Sequence, residues 1–286
     1  MPDQRYQFRN TGGQTLSGRL ELPATSPKAF AVFAHCFGCT SKVKAATHIS
    51  RALCDQGIAV LRFDFTGLGD SEGDFANSDF SSNVADLIAA AQSLEQTHGA
   101  PQLLIGHSLG GAAVLMAAER LPAVKAVATL GAPSDPAHVT RLLSDHLDEI
   151  EAHGEAVIQL GSRPFTIKRQ FIEYLREQAL TRRVNRLRRP LLIFHAPGDR
   201  VVGIDNAREL FEAAKHPKSF VSLYDADHLV TREEDARFIA GTLAAWARRY
   251  FQSADRARPP EGAVAVREGD APYAQAVRAG RHDWVA

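Results

Sequence analysis

The 286-residue chain carries no excess of either charge, since 33 Lys and Arg residues are matched by 33 Asp and Glu residues. A net charge of zero removes the usual electrostatic argument for a nucleic acid or an anionic membrane surface as a partner. No apolar run approaches the length of a membrane span. The N-terminus also lacks the basic-then-apolar layout of a secretion signal. Together these absences predict a cytoplasmic protein with no nucleic-acid or membrane partner.

Cysteine is scarce as well: the sequence has Cys36, Cys39 and Cys54, too few for a disulfide scaffold. Cys36-Phe-Gly-Cys39 has the spacing of a redox or metal pair, but no second pair completes a zinc site. The favoured interpretation is two small, partly buried thiols, with redox chemistry left open. The sequence has no dinucleotide fingerprint, phosphate-binding loop or His-Glu-x-x-His pattern, so we expect no metal and no organic cofactor.

The most informative segment that is present spans residues 103–111, Leu-Leu-Ile-Gly-His-Ser-Leu-Gly-Gly. A short apolar run ends at a serine between glycines, and an alanine-rich helical pattern follows at once. Because Gly106 and Gly110 lack a Cβ atom, a strained turn can form there without clashing with the flanking strand and helix. The turn lifts the Ser108 hydroxyl out of the sheet, which suits a nucleophile if a base lies nearby.

The rest of the chain predicts an α/β fold. Short apolar or alternating segments with the character of strands occur at residues 6–9, 16–22, 29–34, 59–63, 103–105, 126–130, 191–195 and 220–223. From the third strand onward, helical periodicity alternates with strands, so we expect a mostly parallel eight-stranded sheet with helices on both faces. The last helix is predicted at residues 231–250, opened by a capping box formed by Thr231 and Glu234.

The alternation breaks between Pro133 and Pro190. Helical patterns and a hairpin signal at Gly161-Ser162 predict a small cap insertion at residues 134–189, lying over the carboxyl edge of a core formed by residues 1–133 and 190–251. The alternative is one longer crossover without a functional role. The side chains predicted to line the substrate pocket between the cap and the sheet edge are Phe37, Leu142, Phe165 and Phe171. Leu142, Phe165 and Phe171 fit the apolar core of the cap equally well.

A serine nucleophile needs a base and an acid that orients the base. His228 is the predicted base because it follows the last predicted strand and therefore lies at the same sheet edge as Ser108. Asp199 is the predicted acid because it also follows an apolar strand by a short turn. The order Ser, Asp, His is the one expected after a nucleophile turn of this kind. The carboxylates weighed against Asp199 are Asp225 and Asp227, which adjoin His228, and Asp205, which suits a helix start.

The oxyanion of the reaction needs hydrogen-bond donors, and the predicted donors are main-chain amides. One is the amide of Leu109, at the positive end of a helix. The other is predicted in the turn His35-Cys-Phe-Gly-Cys39, with Phe37 preferred and Cys36 second.

Three motifs resemble those of the α/β-hydrolase fold family across residues 30–250. Residues 106–110 resemble its nucleophile elbow, residues 62–71 its loop after the fourth strand, and residues 197–202 its acid loop. The sequence departs from the family at Cys36, where glycine commonly follows the histidine. The resemblance implies a carboxylic ester hydrolase that acts through an acyl-enzyme on small or medium acyl or aryl esters. The alternatives are a thioesterase or peptidase with the same triad, and a non-catalytic lipid- or hydroperoxide-binding module paired with a redox domain.

The composition changes after residue 251. Residues 252–262 are polar and contain Pro259-Pro260, which is typical of a linker. Residues 263–286 resemble the opening strands of OsmC-like (osmotically inducible protein C) redox proteins, and residues 35–39 resemble the hydrolase half of known fusions with that domain. This segment is therefore predicted to be a docked tail or an incomplete OsmC-like domain, whose redox part would be covalently fused beyond residue 286.

Overall fold

The computed structural model describes residues 3–36, 38–135, 143–160, 163–177, 180–251, 264–268, 275–279 and 282–285. The strands are β1 (Asp3–Arg9), β2 (Thr15–Glu21), β3 (Ala29–Ala34), β4 (Ile58–Phe63), β5 (Pro101–His107), β6 (Ala126–Leu130), β7 (Glu155–Leu160), β8 (Arg163–Lys168), β9 (Leu191–His195), β10 (Lys218–Ser222), β11 (Val264–Glu268), β12 (Gln275–Ala279) and β13 (His282–Val285). The α-helices are α1 (Lys44–Asp55), α2 (Phe80–Thr97), α3 (Leu109–Ala117), α4 (Leu147–His153), α5 (Arg169–Glu177), α6 (Leu180–Arg186), α7 (Asp205–Ala213) and α8 (Glu233–Ala247). Short 3-10 turns lie at Phe75–Asn77, Ala118–Arg120 and Ser144–His146.

Eight strands form one sheet in the order β1-β2-β4-β3-β5-β6-β9-β10. The pairings β1–β2 and β2–β4 are antiparallel, and every pairing from β4 to β10 is parallel. This confirms the predicted mostly parallel sheet of eight strands. The reason is visible in the sequence: strands covered on both faces appear as continuous apolar runs, as β3 and β4 do.

Helices cover both faces of the sheet and create two apolar cores. Adjacent residues of β3 point in opposite directions, so Val32 packs into one core and Phe33 into the other. The first core includes residues of α2, α3 and α7, and the second includes residues of α1 and α8. This sandwich holds the carboxyl ends of β3, β5, β6 and β9 side by side at one edge.

The predicted hairpin around residues 161–162 is confirmed by the antiparallel pairing of β7 with β8. It contacts the segment that follows β4. The Phe165 ring meets the Phe75 ring edge-on at 5.1 Å between centroids. The Lys168 ammonium donates to Asn77 Oδ1 at 2.6 Å. These contacts connect the hairpin to a loop of the main sheet.

The last described strands form a separate antiparallel sheet in the order β11-β12-β13. The sequence predicted only two strands in this segment, whereas the structure has three. Its relation to OsmC-like proteins stays a prediction. Among the described residues, no helix combines the length and the apolar character needed to cross a membrane.

Candidate active site

Ser108 occupies a sharp turn between β5 and α3. Its φ of 55° and ψ of −124° are unusual for a residue other than glycine, and the side chain is half-buried. The neighbouring glycines make this turn possible. A Cβ on Gly106 would lie 2.3 Å from the Gly110 carbonyl oxygen, and one on Gly110 would lie 2.4 Å from that of Ala34. The crowded backbone therefore demands glycine where the sequence has it.

The structure brings Ser108, His228 and Asp199 together. His228 Nε2 lies 3.0 Å from Ser108 Oγ, and His228 Nδ1 lies 2.7 Å from Asp199 Oδ2. The imidazole thus connects the hydroxyl to the carboxylate through its two nitrogens. This is the arrangement in which a histidine can take a serine proton while a carboxylate fixes its tautomer.

The competing carboxylates are engaged elsewhere. Asp225 accepts two hydrogen bonds from the Arg232 guanidinium, the shorter at 2.6 Å. Asp227 accepts from the amide and hydroxyl of Thr231 at 2.8 and 2.7 Å. Asp205 is the first residue of α7. The geometry therefore singles out Asp199 as the carboxylate facing His228.

Hydrogen bonds hold Asp199 in its charged form. Its Oδ1 accepts from the amides of Val201 and Val202, both at 2.9 Å, while its side chain is only 2% exposed. Burial alone would raise the pKa of this carboxyl, but the His228 hydrogen bond and charge, together with the two amides, bring the pKa below its usual value. Asp199 is therefore an anion that can stabilise a positive imidazolium on His228.

A hydrogen bond from His107 holds the main chain of His228 in place. Its Nε2–H donates to the main-chain oxygen of His228 at 2.7 Å, and its ring is 1% exposed. Burial, and next the charge of His228, lowers the pKa of His107 to about 4. The ring is therefore neutral near pH 7 and fixes the loop that carries His228.

Two further buried histidines support the other loops in the same way. His195, at the end of β9, has its Nε2 2.8 Å from the carbonyl oxygen of Val202 in the Asp199 loop. His35, after β3, has its Nδ1 2.8 Å from the carbonyl oxygen of Cys36. Burial lowers the pKa of both rings, so each is a neutral donor to its loop.

Gly131 is a site residue that the sequence reasoning missed. It follows β6 with a φ of 53°, and a Cβ there would lie 3.2 Å from Asp199 Oδ2 and 3.3 Å from His228 Nδ1. A glycine directly after a buried strand is the sequence signal that points to it. The missed role of His107 has a similar signal, since His107 immediately precedes Ser108.

The predicted oxyanion donors fall partly within the described structure. Leu109 is the first residue of α3, and amides in the first turn of a helix have no acceptor within that helix. Its amide is thus positioned beside Ser108. Phe37, the other predicted donor and a predicted pocket residue, lies outside the described residues.

Cys36 and Cys39, interpreted as thiols from sequence, are joined in a disulfide, so that interpretation is wrong.

An apolar cavity of about 10 Å³ lies beside the serine turn, and its lining includes Cys36, Phe65, Leu68, Phe75 and Leu109. The structure places the predicted pocket residues in different environments. Phe165 is half-buried against Phe75, next to this cavity. Phe171 is only 2% exposed and belongs to the apolar core, because α5 packs that face inward, so it does not line an open pocket. Leu142 lies outside the described residues.

Comparisons with known proteins agree with this architecture. The family described as "Serine aminopeptidase, S33" matches residues 25–150. The crystal structure of the esterase domain from a Rhodothermus marinus protein is 51% identical, with a TM-score of 0.72, and the match covers 88% of this chain and 100% of that one. The chain belongs to the α/β-hydrolase family.

Two other similar proteins have a lower sequence identity to this α/β-hydrolase. The monoacylglycerol lipase of Mycolicibacterium smegmatis (strain ATCC 700084 / mc(2)155) is 24% identical over 276 residues, covering 84% of this chain and 95% of the lipase. The α/β hydrolase GrgF from Penicillium sp. sh18 has 19% identity and a TM-score of 0.71, covering 88% and 99% of the two chains, and shows the fold alone. Within the described part of this α/β-hydrolase, no group of three or more His, Cys, Asp or Glu side chains could hold a metal ion.

Proposed function

We propose that this hydrolase cleaves carboxylic esters with Ser108 as the nucleophile, through an acyl-enzyme. The single observation that carries the proposal is the position of the His228 ring, 3.0 Å from Ser108 Oγ and 2.7 Å from Asp199 Oδ2. A serine hydroxyl is a weak nucleophile on its own and becomes reactive when an oriented base accepts its proton.

The reaction follows from this geometry in two halves. His228 Nε2 takes the proton of Ser108 as the serine oxygen attacks the ester carbonyl, and Asp199 stabilises the resulting imidazolium. The imidazolium then gives its proton to the departing alcohol, which leaves an acyl group on Ser108. Water repeats the sequence on that acyl group and regenerates the enzyme.

The negative oxygen of the tetrahedral intermediate needs donors aimed at it. We assign this role to the main-chain amide of Leu109, which follows Ser108 in the chain, and to that of Phe37, in the turn after β3. Loss of one such donor typically costs about 3 kcal/mol of transition-state stabilisation. Because both donors are main-chain groups, the shape of the loop determines their contribution more than the identity of the side chains.

Ester substrates are supported by the names of two similar proteins, an esterase domain and a monoacylglycerol lipase. The cavity next to Leu109 is apolar, as suits the hydrocarbon part of an acyl group, and its volume of about 10 Å³ is no more than one water needs. We propose small or medium acyl or aryl esters as the substrate class. Residues 134–189 would then form a cap that encloses the substrate at the sheet edge.

The test is a panel of nitrophenyl esters from acetate to octanoate, with a matched thioester and an aminoacyl nitroanilide. The expected result is a burst of nitrophenol with acetate and butyrate, absent in Ser108→Ala. Ser222→Ala, an exposed serine on β10, serves as the control and should retain full activity. If the nitroanilide were cleaved faster than every ester, a peptidase would replace this proposal.

A further inference from the structure

The Cys36–Cys39 disulfide encloses the segment that carries one of the proposed oxyanion donors. The two cysteines are separated by Phe37 and Gly38, and the Cys39 amide also donates to the Cys36 carbonyl oxygen at 3.2 Å. We propose that this disulfide is redox-active: it exchanges with small dithiols, and its oxidised form is the faster hydrolase. The rate part of this inference rests on the proposed function, whereas the exchange part does not.

The flanks of this loop are fixed independently of the disulfide. On one side, the His35 ring donates to the Cys36 carbonyl oxygen at 2.8 Å. On the other side, the Ser41 amide donates to Asp64 Oδ1 at 2.5 Å, and the Arg62 guanidinium donates to the Ser41 carbonyl at 2.8 Å. Breaking the disulfide therefore loosens the short segment between these anchors while the sheet beneath it stays in place.

The two cysteine residues differ in exposure, which gives the exchange a direction. Cys36 is 5% exposed, while Cys39 is only partly buried. Cys36 also lines the same cavity as Leu109 and Gly110 in the first turn of α3. Because Cys39 is the more exposed of the two cysteines, an incoming thiolate reaches Cys39 Sγ, and Cys36 is the leaving group.

The exchange balances with a dithiol as the reductant. A thiolate of the dithiol attacks Cys39 Sγ, the Cys36–Cys39 bond breaks, and Cys36 leaves as a thiolate that takes up a proton. The second thiol then attacks the mixed disulfide and expels Cys39 as a thiolate, which is also protonated. Two electrons and two protons pass to the protein, and the dithiol becomes a cyclic disulfide.

Reduction changes catalysis through the geometry of the loop. Without the cross-link, the loop between Cys36 and Cys39 is less constrained, so the oxyanion donor proposed in this loop contributes less to the transition state. A group that acts on the oxyanion stabilises the transition state and contributes little to substrate binding. We therefore expect kcat to fall about tenfold or more on reduction, with KM changing less than about threefold.

The third cysteine does not obscure the measurement. Cys54 is 2% exposed, and burial, followed by the nearby charge of Glu21, raises its pKa to about 11. Its thiol is therefore almost entirely protonated near neutral pH and reacts slowly with alkylating reagents. A Cys54→Ala variant provides the matched control and should keep the full redox response.

The experiment combines two readouts on the full chain. The oxidised protein is equilibrated with increasing dithiothreitol, alkylated with iodoacetamide and weighed intact, while kcat and KM are measured for nitrophenyl acetate in the same samples. We expect two alkylations to appear together, a parallel loss of kcat, unchanged circular dichroism, and recovery on reoxidation. The Cys36→Ser/Cys39→Ser variant should match the reduced enzyme and ignore the dithiol.

The outcomes separate the two proposals. A folded protein whose cysteine pair stays resistant to the dithiol, or is already alkylated without it, overturns the exchange. Full reduction with kcat unchanged or increased overturns the link to catalysis. If neither form hydrolyses the ester, the proposed function fails, and the mass readout still decides whether the disulfide exchanges.

Discussion

At the residue scale, the environment of Asp199 distinguishes it from its neighbours. Asp199→Asn keeps the size of the side chain but removes the charge that stabilises the His228 imidazolium. We expect kcat for nitrophenyl acetate to fall about 10⁴-fold near neutral pH. Asp225→Asn is the control, because Asp225 is exposed and accepts hydrogen bonds from Arg232 rather than from His228. Equal losses in the two variants would contradict the assignment of Asp199.

The lowered pKa of His107 predicts how the free energy of unfolding depends on pH. Its pKa is about 4 in the folded protein and 6.5 in the reference state, so the unfolded chain binds more protons between these values. Stability should therefore be complete above about pH 6.5 and decline as the pH falls toward 4. For this residue alone, the free energy of unfolding should drop by about 2 kcal/mol between pH 7.5 and pH 5.

Urea unfolding at the two pH values measures this effect. His35 and His195 also have lowered pKa values, so they add to the acid sensitivity of the wild type. His107→Gln keeps a donor for the His228 carbonyl but cannot titrate, and its loss of stability on acidification should be smaller by about 2 kcal/mol. An identical pH dependence in the wild type and the variant would rule out this role for His107.

Much of the site could be predicted from local sequence because its three side chains each follow a predicted strand. Ser108 and His228 are 120 residues apart and His228 and Asp199 are 29 apart, yet parallel strands deliver their loops to one edge. Gly131 and the disulfide could not be predicted with the same certainty. Both depend on which atoms of neighbouring loops come into contact, and sequence spacing does not encode those distances.

At the element scale, the serine turn depends on how closely α3 approaches β3. A Cβ on Gly110 would lie 2.4 and 2.5 Å from the carbonyl oxygens of Ala34 and His35. Both are main-chain atoms, which cannot move away as the end of a flexible side chain could. Gly110→Ala should therefore lower the free energy of unfolding by about 1–3 kcal/mol or more and reduce kcat by displacing Ser108. Chemical denaturation and ester hydrolysis measure the two effects.

Gly241→Ala is the matched control for that substitution. Gly241 is exposed on α8, and a Cβ there meets nothing within 4 Å. In a helix interior, alanine is favoured over glycine, so the variant should be more stable by about 0.5–1 kcal/mol with normal kcat. A destabilised Gly241→Ala, or a Gly110→Ala as stable as the wild type, would show that the crowding argument is wrong.

The elements also show where local patterns mislead. Thr231 and Glu234 fit a capping box, but α8 begins at Glu233, and the Thr231 hydroxyl donates to Asp227 at 2.7 Å instead. Asp227 lies four residues earlier in the loop that carries His228. A second local interaction, with the carboxylate four residues earlier, thus outcompetes the capping box, and the spacing of the residues does not decide between the two.

At the scale of the whole molecule, a buried ion pair joins β4 to β2, and its arginine also contacts the loop that follows β3. Arg62 on β4 lies 2.8 Å from Glu21 on β2, with side chains 3% and 1% exposed, and also donates to the Ser41 carbonyl. In Arg62→Met, the buried Glu21 loses this short ion pair and keeps the longer contact with the exposed Arg51 at 3.7 Å, so the free energy of unfolding should fall by about 3–5 kcal/mol.

The double variant Arg62→Met/Glu21→Leu tests the physical reason for that loss. Replacing both charges removes the poorly compensated buried carboxylate, so much of the stability should return. Its kcat should nevertheless stay below that of the wild type, since the Ser41 carbonyl no longer has its donor. A double variant as unstable as Arg62→Met would contradict the explanation by burial of charge.

In our proposal, the fold makes one hydroxyl, that of Ser108, a nucleophile. The most direct test is to treat the protein with a fluorophosphonate and locate the adduct by peptide mass spectrometry, with His228→Ala in parallel. We expect one adduct per chain, on Ser108, formed much more slowly in the variant. An adduct on another residue, or labelling of Ser108 that is equally fast without His228, would contradict it.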